Sequence, residues 1–440
     1  MGEAVLDRWG SPVFTDHPRA LVPFNEAVED LVSLSGDPLE RVEAALATDS
    51  RLILGQVLQA YLELYSTSAA GFERARKVLR ELDPWDLAAG ERELLHLRAA
   101  HAWAGGEWER AVAFLERALL HDPGDLLALK VAQDLHFFLG NPSGLRGVVE
   151  RVLSTWVPGR PGWGYVQGMY AFGLEENGEY AGAEQQARDA LGQNAGDVWA
   201  VHALAHVFEM TGDQGRGIAF LTRSADDWSG SYFAVHNWWH RALYHLELGE
   251  IDEVLALYDG PIRGTRSNEW LDVVDAASLL WRLRLFGIDV GNRADQLASD
   301  VEAILDDPVY VFNDWHAVMV AGLAGRREVV EHLVSVNRRG TAGTNRRSVE
   351  EAGLDLLEGF SAFARGDAEG AVDRLADIRP RAHVVGGSHA QRDVIDLTLL
   401  AAAAGAGKAS LAQVLVDERV AQKPAASAAA ERVVVANRRR

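Results

Sequence analysis

Histidine is the side chain whose number and spacing here could do chemistry. The chain of 440 residues carries 14 histidines and no cysteine. VHALAHVFEM sets His202 and His206 four apart, and VHNWWHRALYHLELG sets His236 and His240 four apart, with His245 beyond them. On a helix, residues four apart share one face, a turn from each other. Five of the fourteen histidines therefore fall within 44 residues. Imidazoles held near a neutral pKa by burial and carboxylate partners serve as general acids and bases. Pairs at this spacing on facing helices also bind metal. HALAH lacks the glutamate of HExxH, and HNWWH has no carboxylate at ligand spacing. Acid–base work is thus the leading expectation and no cofactor is expected, with a metal held by His202, His206, His236 and His240 as the alternative. A single histidine on a helix face is more often structural; two such pairs in succession favour a site.

Two further segments look like contributors. FNDWHAVM places Asn313, Asp314 and His316 at the start of a helix. GGSHAQRD offers Ser388 as an N-cap, with His389, Arg392 and Asp393 in the first turn, where exposed amides favour an anion or carboxylate. QDLHFFLG adds Asp134 and His136. The expected catalytic set is His202, His206, His236, His240 and His316, with Asp314 orienting one imidazole. The expected substrate-binding set is Trp239, Phe172, His389, Asn313 and Arg392, the last holding an anionic group. Thirteen tryptophans serve as core fillers or as the lining of an aromatic cavity. No nucleophile is evident, since there is no cysteine and no GxSxG. No GxGxxG or Walker-type loop offers a nucleotide site.

The elements that must position these residues repeat at about 34–37 residues, which points to stacked helix pairs. LLHLRAAHAWAGGEWERAVAFLERALLHDPGD and GMYAFGLEENGEYAGAEQQARDALGQNAGD share a frame. Each has a small residue in a first helix (Ala99, Ala171) and a turn glycine (Gly106, Gly178). Each then has small residues in a second helix (Ala111 and Ala118; Ala183 and Ala190). Alanines let antiparallel helices approach closely, and the glycine ends the first helix in a left-handed cap. The frame continues at Ala205 with Gly212 and at Ala242 with Gly249; looser copies surround Gly140, Gly325 and Gly366. If the alanine packs on the partner helix, residues three before and one after it face the hollow. Those are His202 and His206 for Ala205, Gly168 and Phe172 for Ala171, and His96 and Ala100 for Ala99. For Ala242 they are Trp239 and Leu243, flanked by His236 and His240.

The expected fold is therefore all-α, a tetratricopeptide-like helical-repeat superhelix whose irregular inserts favour closure into a toroid. Strand signals are nearly absent. The expected parts are an N-terminal cap of helical pairs over 1–85, repeats with histidine-rich first helices over 86–258, and C-terminal repeats over 265–420. A loop at 259–265 separates the last two, and a disordered tail, low in complexity and basic at its end, follows at 424–440.

Composition excludes several classes. The chain is 48% hydrophobic and 24% charged, as globular chains are, and its net charge of −21 repels phosphate backbones and anionic lipid. Nucleic acid and membrane are therefore not expected as partners. The absence of cysteine removes disulfides, thiolate nucleophiles and thiolate zinc sites. The first residues lack a basic region followed by an apolar one, so no signal peptide is expected; no run nears the ~18 apolar residues of a membrane span, and a cytoplasmic location is expected.

VHALAHVFEM, HNWWHRALYHLELG, DAASLLWRL, FNDWHAVM and GGSHAQRD together resemble the tetratricopeptide repeat protein 38 family, also called StaR-like. These stretches span about residues 200–400, and the repeat frame extends the likeness back to about residue 90. The resemblance implies a helical-repeat fold and carries His202, His206, His236, His240, His316, His389 and Arg392 over as motif residues without roles. For relatives that resemble products of antibiotic biosynthetic clusters it implies a tailoring role, including flavin-linked hydroxylation; nothing in this sequence supports flavin binding. The residues themselves favour a histidine-rich, tryptophan-lined pocket for a small molecule, with acid–base chemistry. The alternative is a non-enzymatic scaffold holding a peptide or protein partner in its groove.

Overall fold

The computed structural model describes residues 3–82, 90–340 and 342–438. The boundary expected at residue 85 lies outside the described residues. The protein is all-α, built of tetratricopeptide-like antiparallel helix pairs. It divides into two compact units: residues 1–204 with 226–233, and residues 205–225 with 234–440.

In the first unit successive pairs pack in chain order. They include Ile53–Tyr65 on Ala69–Leu79, Glu91–Ala104 on Trp108–His121, Leu126–Phe138 on Pro142–Glu150, and Trp163–Glu175 on Tyr180–Gln193. The alanines assigned to the crossings, Ala99, Ala111, Ala118, Ala171, Ala183 and Ala190, are all buried. Gly106 has φ +80°, and the next amide, Glu107 N, returns to the carbonyl of Ala102 at 2.8 Å, closing the helix end as a left-handed cap does.

One element is unexpected from the sequence, beside an all-α fold that stands. Glu3–Leu6 and Pro12–Thr15 form an antiparallel hairpin, although the sequence carries little strand signal. Its stability comes from distant residues: Arg92 bridges Asp7 at 3.0 Å and donates to the Pro12 carbonyl at 3.1 Å, and Phe14 N donates to Glu93 at 3.0 Å. Two four-residue strands would be marginal without such partners.

The second unit continues with Ala234–Leu248 on Ile251–Leu257, Trp270–Leu285 on Arg293–Ile304, and Val311–Leu323 on Arg327–Arg339. Leu354–Ala364 on Ala368–Ile378 and His389–Gly405 on Ala409–Gln422 complete it. The 259–265 loop lies inside this unit, where Tyr258–Ile262 is a kinked turn with non-helical Gly260.

The tail corrects a second expectation. Ser427–Asn437 is a helix, not a disordered segment, and it packs on His389–Gly405. Ala429, Ala430 and Val433 are fully buried. Arg432 donates to the carbonyls of Leu246 and Glu247, and Asn437 donates to the Leu285 carbonyl at 2.7 Å. Low complexity misleads here because alanine, the best helix former, needs only a surface to lie on. Among the described residues, no helix is long and apolar enough to cross a membrane.

Candidate functional site

The site lies in the second unit and begins on the helix Ala234–Leu248. His236 and His240, one turn apart, have ring centroids 4.8 Å from each other. Trp239 stacks on His236 at 5.2 Å and 18°, and meets the His240 ring edge-on at 4.9 Å. His206, reaching over from the Val198–Met210 helix, lies 4.4 Å from His240, and His389 lies 5.9 Å from His206. His206 and His240 are 0% exposed and His236 4%, so this is interior rather than surface.

Each imidazole of the central pair has its own carboxylate. His236 Nδ1 is 2.7 Å from Asp275 and His240 Nδ1 is 3.0 Å from Glu209. A carboxylate only accepts, so both Nδ1–H groups donate, and the neutral form of each ring has its lone pair on Nε2. Burial pushes the His240 pKa well below the usual imidazole value, and the neighbouring His206, His236, Arg282 and Lys423 push it the same way. Behind Trp239 sits Arg282, its guanidinium 5.3 Å above the indole. Arg282 donates to Ser278 Oγ at 2.6 Å and to the Ala390 carbonyl at 2.8 Å, tying the Trp270–Leu285 helix to the start of His389–Gly405. Its own pKa is lowered by burial.

Glu209 also faces a cavity of about 220 Å³ lined by His389, Arg392, Asp393, Arg419 and Lys423 among others. At about 30 Å³ per water, that space holds roughly seven waters or a small organic acid. Lys423 is 3.8 Å from Glu209 and 3.1 Å from Glu247, while Arg419 bridges Glu247 at 3.1 Å and pairs with Asp393. Ser388 is the N-cap of His389–Gly405, as its sequence predicts, and it closes a full capping box with Gln391. That cap sets His389 and Arg392 on the cavity wall.

The other sequence candidates make contacts of their own. His202 belongs to the first unit, where its ring meets Phe172 at 4.8 Å, Phe233 at 5.2 Å and Trp199 at 5.5 Å. His316 is buried against Phe312 and Trp315, donates from Nδ1 to the Phe312 carbonyl at 2.7 Å, and is pushed down to about 3 by burial. Asp314 does not orient a histidine: it accepts from Asn337 at 3.2 Å, and burial raises it to about 7. Helical spacing explains the split, because residues two apart leave a helix on different faces. Asn313 is buried in the same first turn. Arg392 donates to the carbonyls of Gly386 and Gly387, so part of its fork holds the loop before the helix.

Spacing along the chain does not single out Glu209, Asp275 or Arg282. All three stand inside or beside the matched stretches: Glu209 is three after His206 in HALAHVFEM, and Asp275 opens DAASLLWRL, which also holds Arg282. The signal that finds the acids is a carboxylate on a neighbouring helix of the stack, before or after the histidine's own.

No family model matches the chain. Among solved structures, it is similar to the Cut9–Hcn1 hetero-tetramer of the APC/C, with TM-score 0.33 and 12% identity over 94% of this chain and 90% of that one. It is similar to the human IFIT1 dimer with PPP-AAAA, with TM-score 0.38 and 13% identity over 82% of this chain and 90% of that one. A third likeness is to Naa15/Naa10 bound to HypK-THB, with TM-score 0.26 and 12% identity over 91% of this chain and 68% of that one. At these values the neighbours assign no activity to the chain.

Proposed function

We propose that this helical-repeat protein binds a small anionic molecule in the cavity of its second unit, beside the buried imidazole–carboxylate cluster. The observation that carries the reading is the adjoining pairs His240–Glu209 and His236–Asp275, buried together with Glu209 lining the cavity. Burying two such pairs costs desolvation that their hydrogen bonds only offset, and buried ionisable clusters of this kind concentrate at functional sites. Among the described residues, the amide of Asn237 and the indole N–H of Trp239 are buried with no hydrogen-bond partner, which is uncommon in a core that is only structural. Arg392, Arg419 and Lys423 supply the positive edge of the cavity.

The test is native mass spectrometry of the full chain for a retained small molecule, followed by calorimetric titration with small carboxylates and inorganic phosphate. One ligand per chain is expected, weakened about tenfold or more by Arg392→Met, since a charge-assisted hydrogen bond is worth about 1.5–3 kcal/mol. No retained molecule and no saturable titration would sink the reading.

The second reading is a scaffold that holds a polypeptide, the ordinary use of stacked helix pairs, and the repeat architecture itself favours it. It calls for exposed recognition residues, whereas His206, His236 and His240 are at most 4% exposed. A polypeptide retained in place of a small molecule, and displaced by substitutions on exposed helix faces, is its signature.

A further inference from the structure

His206, His236 and His240 offer one nitrogen each, all within 4.8 Å of one another. Two of the three come from successive turns of one helix, so their spacing is set by the backbone. Asp275 and Glu209 take the Nδ1–H of His236 and His240, which leaves both rings in the same tautomer with an Nε2 lone pair. An imidazole whose far nitrogen is held by a carboxylate is the usual form of a metal-ligating histidine: the carboxylate fixes the ring and strengthens the donor. The surrounding charges leave room for a cation, with Glu209, Asp275, Glu247 and Asp393 set against Arg282, Arg419 and Lys423.

We propose that His206, His236 and His240 hold a divalent transition-metal ion, with Asp275 and Glu209 orienting two of the ligands from behind. The proposal rests on the reading that this cluster serves the adjoining cavity, and it names what the cluster contributes there. An all-imidazole set selects zinc, iron, cobalt, nickel or copper over calcium and magnesium, which prefer oxygen. Bonds of about 2.0–2.1 Å need the three nitrogens drawn together from their present spacing.

The full chain, stripped with a chelator, is titrated with Co²⁺ alone and then Zn²⁺ alone. Visible d–d bands and competition with a chromophoric chelator report binding, and far-ultraviolet circular dichroism checks each variant's fold. One equivalent of Co²⁺ is expected with a spectrum of nitrogen ligation. His236→Ala and His240→Ala should weaken it at least 100-fold, and the isosteric Asp275→Asn and Glu209→Gln about 10–100-fold. His245→Gln, which alters a histidine paired with Glu250 on the same helix, should leave it unchanged. Absence of the cobalt spectrum in the wild-type chain, or a spectrum that both alanine variants retain, overturns the proposal. If small anions bind the stripped chain but Co²⁺ does not, the metal assignment fails while the pocket stands. If Co²⁺ binds as described and no anion does, the pocket reading fails while the metal site stands.

Discussion

At the scale of single residues, burial of ionisable groups is the feature with measurable consequences. Asp197 caps the Val198–Met210 helix by accepting from Ala200 N at 3.1 Å, yet it is 1% exposed and its other oxygen has no partner among the described residues. Burial raises its pKa to about 7. A raised acid keeps its proton in the native state while the unfolded chain releases it. Its contribution is therefore most favourable below pH ~4 and is lost as pH rises towards 7, at about 1.4 kcal/mol for each pH unit crossed. Asp197→Asn keeps the cap's acceptor and removes this titration. Urea midpoints measured across that range should show the variant gaining on the wild type as pH rises; parallel curves would exclude the buried charge as the cause. Asp314 is raised to about 7 by the same burial, and Asp314→Asn should act in the same direction.

At the scale of elements, the turn and crossing glycines separate two kinds of constraint. Gly178 has φ +78° and open space where a Cβ would stand, so Gly178→Ala should cost only the left-handed backbone, about 1–2 kcal/mol. At Gly173 a Cβ would come 2.7 Å from Arg146 Cα, where the Trp163–Glu175 helix crosses Pro142–Glu150. Neither backbone yields easily, so Gly173→Ala should be the more destabilising of the two in thermal unfolding. Ser388→Ala removes the hydroxyl of a complete capping box, at a cost of about 1 kcal/mol, and loosens the turn that carries His389 and Arg392. Weakened ligand binding beyond the stability loss would tie that cap to the cavity. Removing residues 427–438 uncovers the buried contacts of Ala429, Ala430 and Val433 and should lower the melting temperature, contrary to what a free tail would do.

At the scale of the whole molecule, the net charge bears on the choice of partner. A net charge of −21 and an isoelectric point near 5.1 set a repulsive field against polyanions. Filter binding with single-stranded RNA at about 0.15 M salt, where the screening length is about 8 Å, should give no saturable signal. Tight binding there would require a concentrated basic surface that the composition does not lead one to expect.

The sequence by itself determined the helix pairs, because close crossings require Ala99, Ala171 and Ala205 and left-handed ends require glycines such as Gly106 and Gly178. It also determined the shared face of His236 and His240 and the cap at Ser388, since both follow from spacing within one helix. Only the tertiary structure decided which acid meets which imidazole. Glu209 reaches His240 across 31 residues and Asp275 reaches His236 across 39, contacts made by the stacking of neighbouring helices and invisible to local periodicity. The N-terminal hairpin and the C-terminal helix were hidden for the same reason: their short or low-complexity segments are stabilised by surfaces far away in the chain.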